Sequence, residues 1–97
     1  MPTYISQLRW TPAGTEKLKD SPARLDAARK GLASKGVTIL NFYLTMGRHD
    51  MVIISEAPDD QTLAAAMLSV VASGSVTSET SRAFTEDEYR GIFRSLA

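Results

Sequence analysis

An α+β fold of order β-α-β-β-α-β, extended by a C-terminal helix, is what this sequence predicts. Three observations carry that reading. Four runs rich in β-branched and aromatic residues are spread along the chain. Stretches with helical apolar spacing separate the first from the second and the third from the fourth. Only the short polar segment Gly47-Arg48-His49-Asp50 stands between the middle two. Ninety-seven residues form a single domain, 1–97, since domains cluster between about 50 and 200 residues.

The first strand runs from Thr3 to Trp10. Thr11-Pro12 ends it and offers an N-cap followed by proline at the first helical position, so Thr11 to Lys19 reads as a short helical turn. Ser21-Pro22 repeats that start, and Leu25, Ala28, Arg29 and Leu32 mark one face of a helix reaching about Ser34. Gly36 suits the left-handed position that closes it. Val37 to Met46 and Met51 to Ala57 are the strands of an antiparallel hairpin, and Pro58 stops the second because it has no N–H to donate. Asp59 or Asp60 caps a helix carrying Leu63, Met67, Val70 and Val71, which Gly74 ends. Ser75 to Phe84 is the fourth strand. Thr85-Glu86-Asp87-Glu88 is a capping box that opens a last helix with Tyr89, Ile92, Phe93 and Leu96 on one face. Right-handed crossovers and the hairpin place the strands in spatial order 4-1-3-2, all neighbours antiparallel, which is the ferredoxin-like arrangement.

Composition narrows the function. Eleven Lys plus Arg balance eleven Asp plus Glu, so no general attraction draws the chain to nucleic acid or to an anionic membrane. The first strand, TYISQLRW, and the third, MVIISEA, lack the basic Gly-aromatic motif of RNA-binding sheets. With no cysteine and one histidine, disulfides, thiolate catalysis and zinc are set aside; no metal or cofactor is expected, with a carboxylate site for magnesium the one alternative left open. There is no P-loop, GxGxxG or GxSxG. No apolar run nears the ~18 residues of a membrane span, and the N-terminus has no signal-peptide pattern, so the expected location is cytoplasmic.

A two-residue hairpin loop, Arg48-His49, sets the expected register. Met46 then faces Met51, Leu44 faces Ile53, Phe42 faces Ser55 and Leu40 faces Ala57 beneath the helices. The other face carries Thr45 with Val52, Tyr43 with Ile54, and Asn41 with Glu56. Both long helices cover one side, and Tyr43, Val52 and Ile54 are too apolar to leave the other in water. A homodimer is expected, its sheets stacked face to face over at least ~1,600 Å², with a half-polar cavity between them.

Two groups of residues suit chemistry. Asn41, Tyr43 and Glu56 share the open face and can hydrogen-bond a small ligand, with a desolvated Glu56 carrying a proton at raised pKa. The alternative pairs Glu56 with Arg9 or Arg82 in a polar interface. In the hairpin, His49 can act as general acid or base, Asp50 can orient it, and Arg48 can hold an anionic substrate. Read as structure alone, the same segment is a solvated turn. The catalytic candidates are therefore His49 and Glu56, and the ligand-binding candidates Asn41, Tyr43, Arg48, His49 and Glu56.

Four segments also carry a family likeness: Pro2-Thr3-Tyr4-Ile5, Phe42-Tyr43-Leu44-Thr45-Met46-Gly47-Arg48-His49-Asp50, Glu56-Ala57-Pro58-Asp59-Asp60, and Thr80-Ser81-Arg82-Ala83-Phe84-Thr85. In this order, over nearly the whole chain, they resemble the GYD-domain family. His49 stands where that family usually has tyrosine, so no tyrosine role passes to this position. The resemblance implies a ferredoxin-like domain of the dimeric α/β-barrel type. Barrels of that type include small monooxygenases, muconolactone isomerases, haem-dependent peroxidases and ligand-sensing regulatory domains, and it implies no catalytic residue. Three functions stay open. One is a homodimer, or higher oligomer, that binds a small organic molecule in a cavity on the open sheet face. The others are a cofactor-free enzyme running monooxygenase- or isomerase-like proton transfer, and a pure assembly domain.

Overall fold

In the computed structural model, which describes residues 1–96, alternation along β1 (Thr3–Trp10) separates two faces. Tyr4, Ser6 and Leu8 are buried, while Ile5 and Arg9 are exposed. Thr11 then caps α1 (Pro12–Glu16) by accepting from the N–H of Gly14, and a 3-10 turn, Leu18–Asp20, leads into α2 (Ser21–Ser34). Gly14 packs so tightly that a Cβ there would stand 2.1 Å from the Ser75 carbonyl oxygen. Next come β2 (Thr38–Leu44), β3 (Met51–Glu56), α3 (Asp60–Ala72), β4 (Val76–Ala83) and α4 (Glu86–Arg94). Asp59 caps α3 through the Thr62 N–H, and the Thr85/Glu88 capping box opens α4 as its sequence predicts. The four strands form one antiparallel sheet in the order β2-β3-β1-β4, the expected 4-1-3-2 read from the other edge.

Helices α2 and α3 cover the same side of the sheet. Leu32 from α2 and Leu63, Ala66 and Met67 from α3 bury against Tyr4, Leu8, Ile39, Met51, Ile53 and Val76. Ser6 is fully buried among them and shares a 2.8 Å hydrogen bond with the Thr80 hydroxyl.

The hairpin differs from its expected register in two ways. Its loop spans Thr45 to Asp50, closed by Thr45 N–H donating to the Asp50 carbonyl and the Thr45 hydroxyl donating to the His49 carbonyl, with Gly47 at φ 114°. Leu44 therefore faces Met51, Phe42 faces Ile53, Tyr43 faces Val52 and Asn41 faces Ile54, each two residues from the expected partner. Because the shift is even, every one of these side chains keeps its face. A bulge between Ile39 and Asn41 then reverses the alternation. Ile39, opposite Ser55, enters the core in place of Leu40, which is exposed, and Met46 lies wholly in solvent rather than over Met51.

Helix α4 leaves the body of the molecule and packs substantially on none of its elements. The molecule is correspondingly elongated, 53 × 31 × 17 Å, with a radius of gyration of 14.7 Å. A compact chain of this length has about 12.5 Å. Tyr89, Ile92 and Phe93 remain roughly half exposed on the apolar face of α4.

Candidate functional site

Strand pairing brings the open-face residues into rows. Tyr43, Val52, Gln7 and Glu79 form one row; Asn41, Ile54, Ile5 and Ser81 form the next; Thr38, Glu56, Thr3 and Ala83 form the third. At the edge of the first row the β2–β3 loop brings His49 to β4, with Nε2 3.4 Å from Glu79 Oε2. The His49 side chain is mostly buried, at 12% exposure, whereas that of Glu79 is 76% exposed.

A pocket about half open to solvent lies on the opposite side, between the sheet and the α2/α3 layer. Its volume is about 380 Å³. Leu8, Phe42, Met51 and Ile53 form the floor, and Ala28, Gly31, Ala66 and Ser69 belong to its helical walls. Gly31 adds no side chain to that wall, and a Cβ there would meet nothing within 4 Å. Trp10 lines one side, and its indole Nε1 is buried with no hydrogen-bond partner. Unsatisfied buried donors of this kind cost about 1–3 kcal/mol. Lys35 donates from Nζ to the Ser69 hydroxyl, linking α2 to α3 at the cavity edge.

A third cluster sits at the start of α3. The Tyr4 hydroxyl donates to Asp60 Oδ1, and Arg82 lies over the Tyr4 and Phe84 rings at 5.7 and 4.4 Å. Burial first, and then the hydrogen bond and charge of Asp60, push the Tyr4 phenol up to about 12. The phenol is therefore a fixed donor at neutral pH. Asp59 is held below the usual carboxylate range by the Thr62 N–H.

The family model for the GYD domain matches residues 4–93. The chain belongs to the GYD-domain family. This GYD domain is 36% identical over 81 residues to the "Glutamine synthetase and cystathionine beta-lyase binding protein" of Thermus thermophilus, a match that covers 82% of this chain and 85% of that protein. In fold it is similar to the crystal structure of TTHA0845, also from Thermus thermophilus. The TM-score is 0.56 and the identity 21%, over 88% of this chain and 95% of that one.

Asn41, Tyr43 and Glu56 share the open face of this GYD domain, as their spacing predicts, but His49 and Glu56 do not meet. Glu56 lies four residues along β3 from Val52, about 13 Å away. Its expected partners are elsewhere: Arg9 faces Thr77, and Arg82 is on the helix side, donating to the Thr3 and Ala83 carbonyls. Asp50 does not orient His49. Its Oδ2 accepts from the Trp10 N–H at 3.0 Å, while its own N–H donates to the Leu8 carbonyl, which ties the loop to β1. Arg48 is exposed. Glu79, the carboxylate that does meet His49, was missed because 30 residues separate the two in sequence. The helix-side cavity was missed too, because its walls come from residues of α2, α3 and the sheet that are far apart in sequence. Among the described residues, no helix is long and apolar enough to cross a membrane, and no group of three or more His, Asp or Glu side chains gathers to hold a metal.

Proposed function

We propose that this GYD domain is a homodimeric protein that binds a small organic molecule. The cavity beneath α2 and α3 carries the reading. Ligand sites are concave, mostly apolar spaces of about 300–1,000 Å³ with a few polar groups, and this one has about 380 Å³ with Trp10, Lys35 and Ser69 among its walls. Dimerisation is the second part of the proposal. Ile5 and Tyr43 leave apolar surface exposed on the uncovered sheet face, beside half-buried Val52 and Ile54. A second copy stacking there would remove it from water and add a further space containing Asn41, Tyr43 and Glu56.

Native mass spectrometry of freshly purified protein tests both parts at once. The expected result is a dimer that keeps a defined extra mass. A monomer at micromolar concentration removes the dimer, and a bare dimer that takes up no small molecule in a screen removes the ligand.

A second reading, engagement of a larger protein partner, is favoured by α4. Its apolar face is about half exposed and packs substantially on no other element, and a relative of similar length is named as a binding protein for two enzymes. Pull-down of a purified enzyme by the intact chain, and its loss when α4 is removed, separates this reading from the first.

A further inference from the structure

The charge around the α2/α3 cavity has one sign. Of the residues that line it, Arg24 and Lys35 are the ones with full charges, both positive, and no Asp or Glu joins them. Arg24 is held in place by donating from Nη1 and Nη2 to the Lys17 and Gly14 carbonyls at 3.0 and 3.3 Å. Lys35 is exposed, and its hydrogen bond to Ser69 bridges the two helices where the cavity meets solvent. Beneath that rim the walls are apolar: Leu8, Leu25, Phe42, Met51, Ile53 and Val70.

We infer that the cavity takes an apolar monocarboxylate, with its hydrocarbon body on the sheet and its carboxylate at the rim beside Lys35. This inference rests on the small-molecule reading proposed above. An anion is favoured over an isosteric neutral head because the full charges lining the cavity are cationic and no carboxylate among them competes. A cationic ligand meets repulsion from both. The hydrocarbon follows from the walls, since a strongly polar body would lose its water against Leu, Met, Ile and Phe without replacement hydrogen bonds. Size follows from volume. At about 30 Å³ for each water-sized group, the space holds on the order of a dozen non-hydrogen atoms, which is close to the size of decanoate.

Decanoate and decanol, which share a chain and differ in charge, are the probes. Trp10, the single tryptophan, stands in the cavity wall, so its emission reports occupancy directly, with calorimetry as the second readout. Decanoate is expected to bind at least about tenfold more tightly than decanol to the intact protein. Lys35→Gln should bring the two affinities together by weakening decanoate alone. Gly31→Leu, which fills open space on a helix without a backbone clash, should weaken both by at least about tenfold while the circular dichroism stays unchanged. Equal affinities for the two probes in the intact protein overturn the carboxylate inference and leave the cavity reading standing. Decanoate binding that survives Gly31→Leu overturns the assignment to this cavity. Failure of both probes to bind overturns the inference, whereas the cavity reading itself is judged by the mass retained in native spectrometry.

Discussion

His49 and Glu79 meet across β1: a loop residue between β2 and β3 reaches a residue of β4, with Nε2 and Oε2 3.4 Å apart. Their strands are not neighbours in the sheet. The contact lies at the open face, beside a loop that Asp50 ties to β1 through its bonds with Trp10 and Leu8. Because Glu79 is largely exposed, a double-mutant cycle of His49→Ala and Glu79→Gln should give a coupling of only about 0.2–1 kcal/mol. A coupling of zero would mean that the two side chains lie close without interacting.

One substitution made at two glycines should act with opposite signs. Gly14→Ala forces a Cβ into the Ser75 carbonyl and should destabilise by about 3 kcal/mol in urea unfolding. Gly31→Ala has open space around it in the interior of α2, and should stabilise by roughly 1 kcal/mol through helix propensity. Equal effects at the two sites would contradict the close approach of α1 to the α3–β4 connection.

Alkaline stability should depend on Tyr4. Its folded pKa, about 12, lies above the ordinary 10.0. The unfolded chain thus releases the proton first as pH rises. The contribution is complete below about pH 10 and declines between about 10 and 12. Urea unfolding followed from pH 9 to 12 should show that decline in the natural protein and a flatter profile in Tyr4→Phe. Matching slopes would remove the buried Tyr4 phenol as its source.

Acid stability runs the other way at Asp59. Its carboxyl is held below the ordinary 3.8 by the Thr62 N–H, so the stabilisation is present above that value and is lost as pH falls through the depressed one. Asp59→Ala should fray the start of α3 at neutral pH and reduce the acid dependence of unfolding. Hydrogen exchange at Thr62 and Leu63 measures both effects locally.

Ile92→Glu with Phe93→Glu should leave the stability of the body within about 0.5 kcal/mol, because that face of α4 packs substantially on no other element. The same pair should lower the oligomeric state or abolish partner binding if α4 completes an interface. Light scattering with thermal unfolding reports the two separately, and a large loss of stability would show that α4 docks on its own body.

Local chemistry determined most of the element boundaries on its own. Pro12 and Pro22 at helix starts, Gly36 and Gly74 at left-handed helix ends, the Asp59 cap and the Thr85/Glu88 box each act within a few residues, so their effect is legible in the chain. Strand order followed as well, because the hairpin and two right-handed crossovers leave few alternatives. What tertiary structure alone decided involves residues far apart in sequence. The bulge that exchanges Leu40 for Ile39 depends on how β2 pairs with β3, and Glu79 meets His49 only because β4 lies beside β1. The cavity is of the same kind. Gly31 and Ala66 are ordinary helix residues in sequence, and they leave space only when two helices are held over one sheet at a separation their side chains cannot fill.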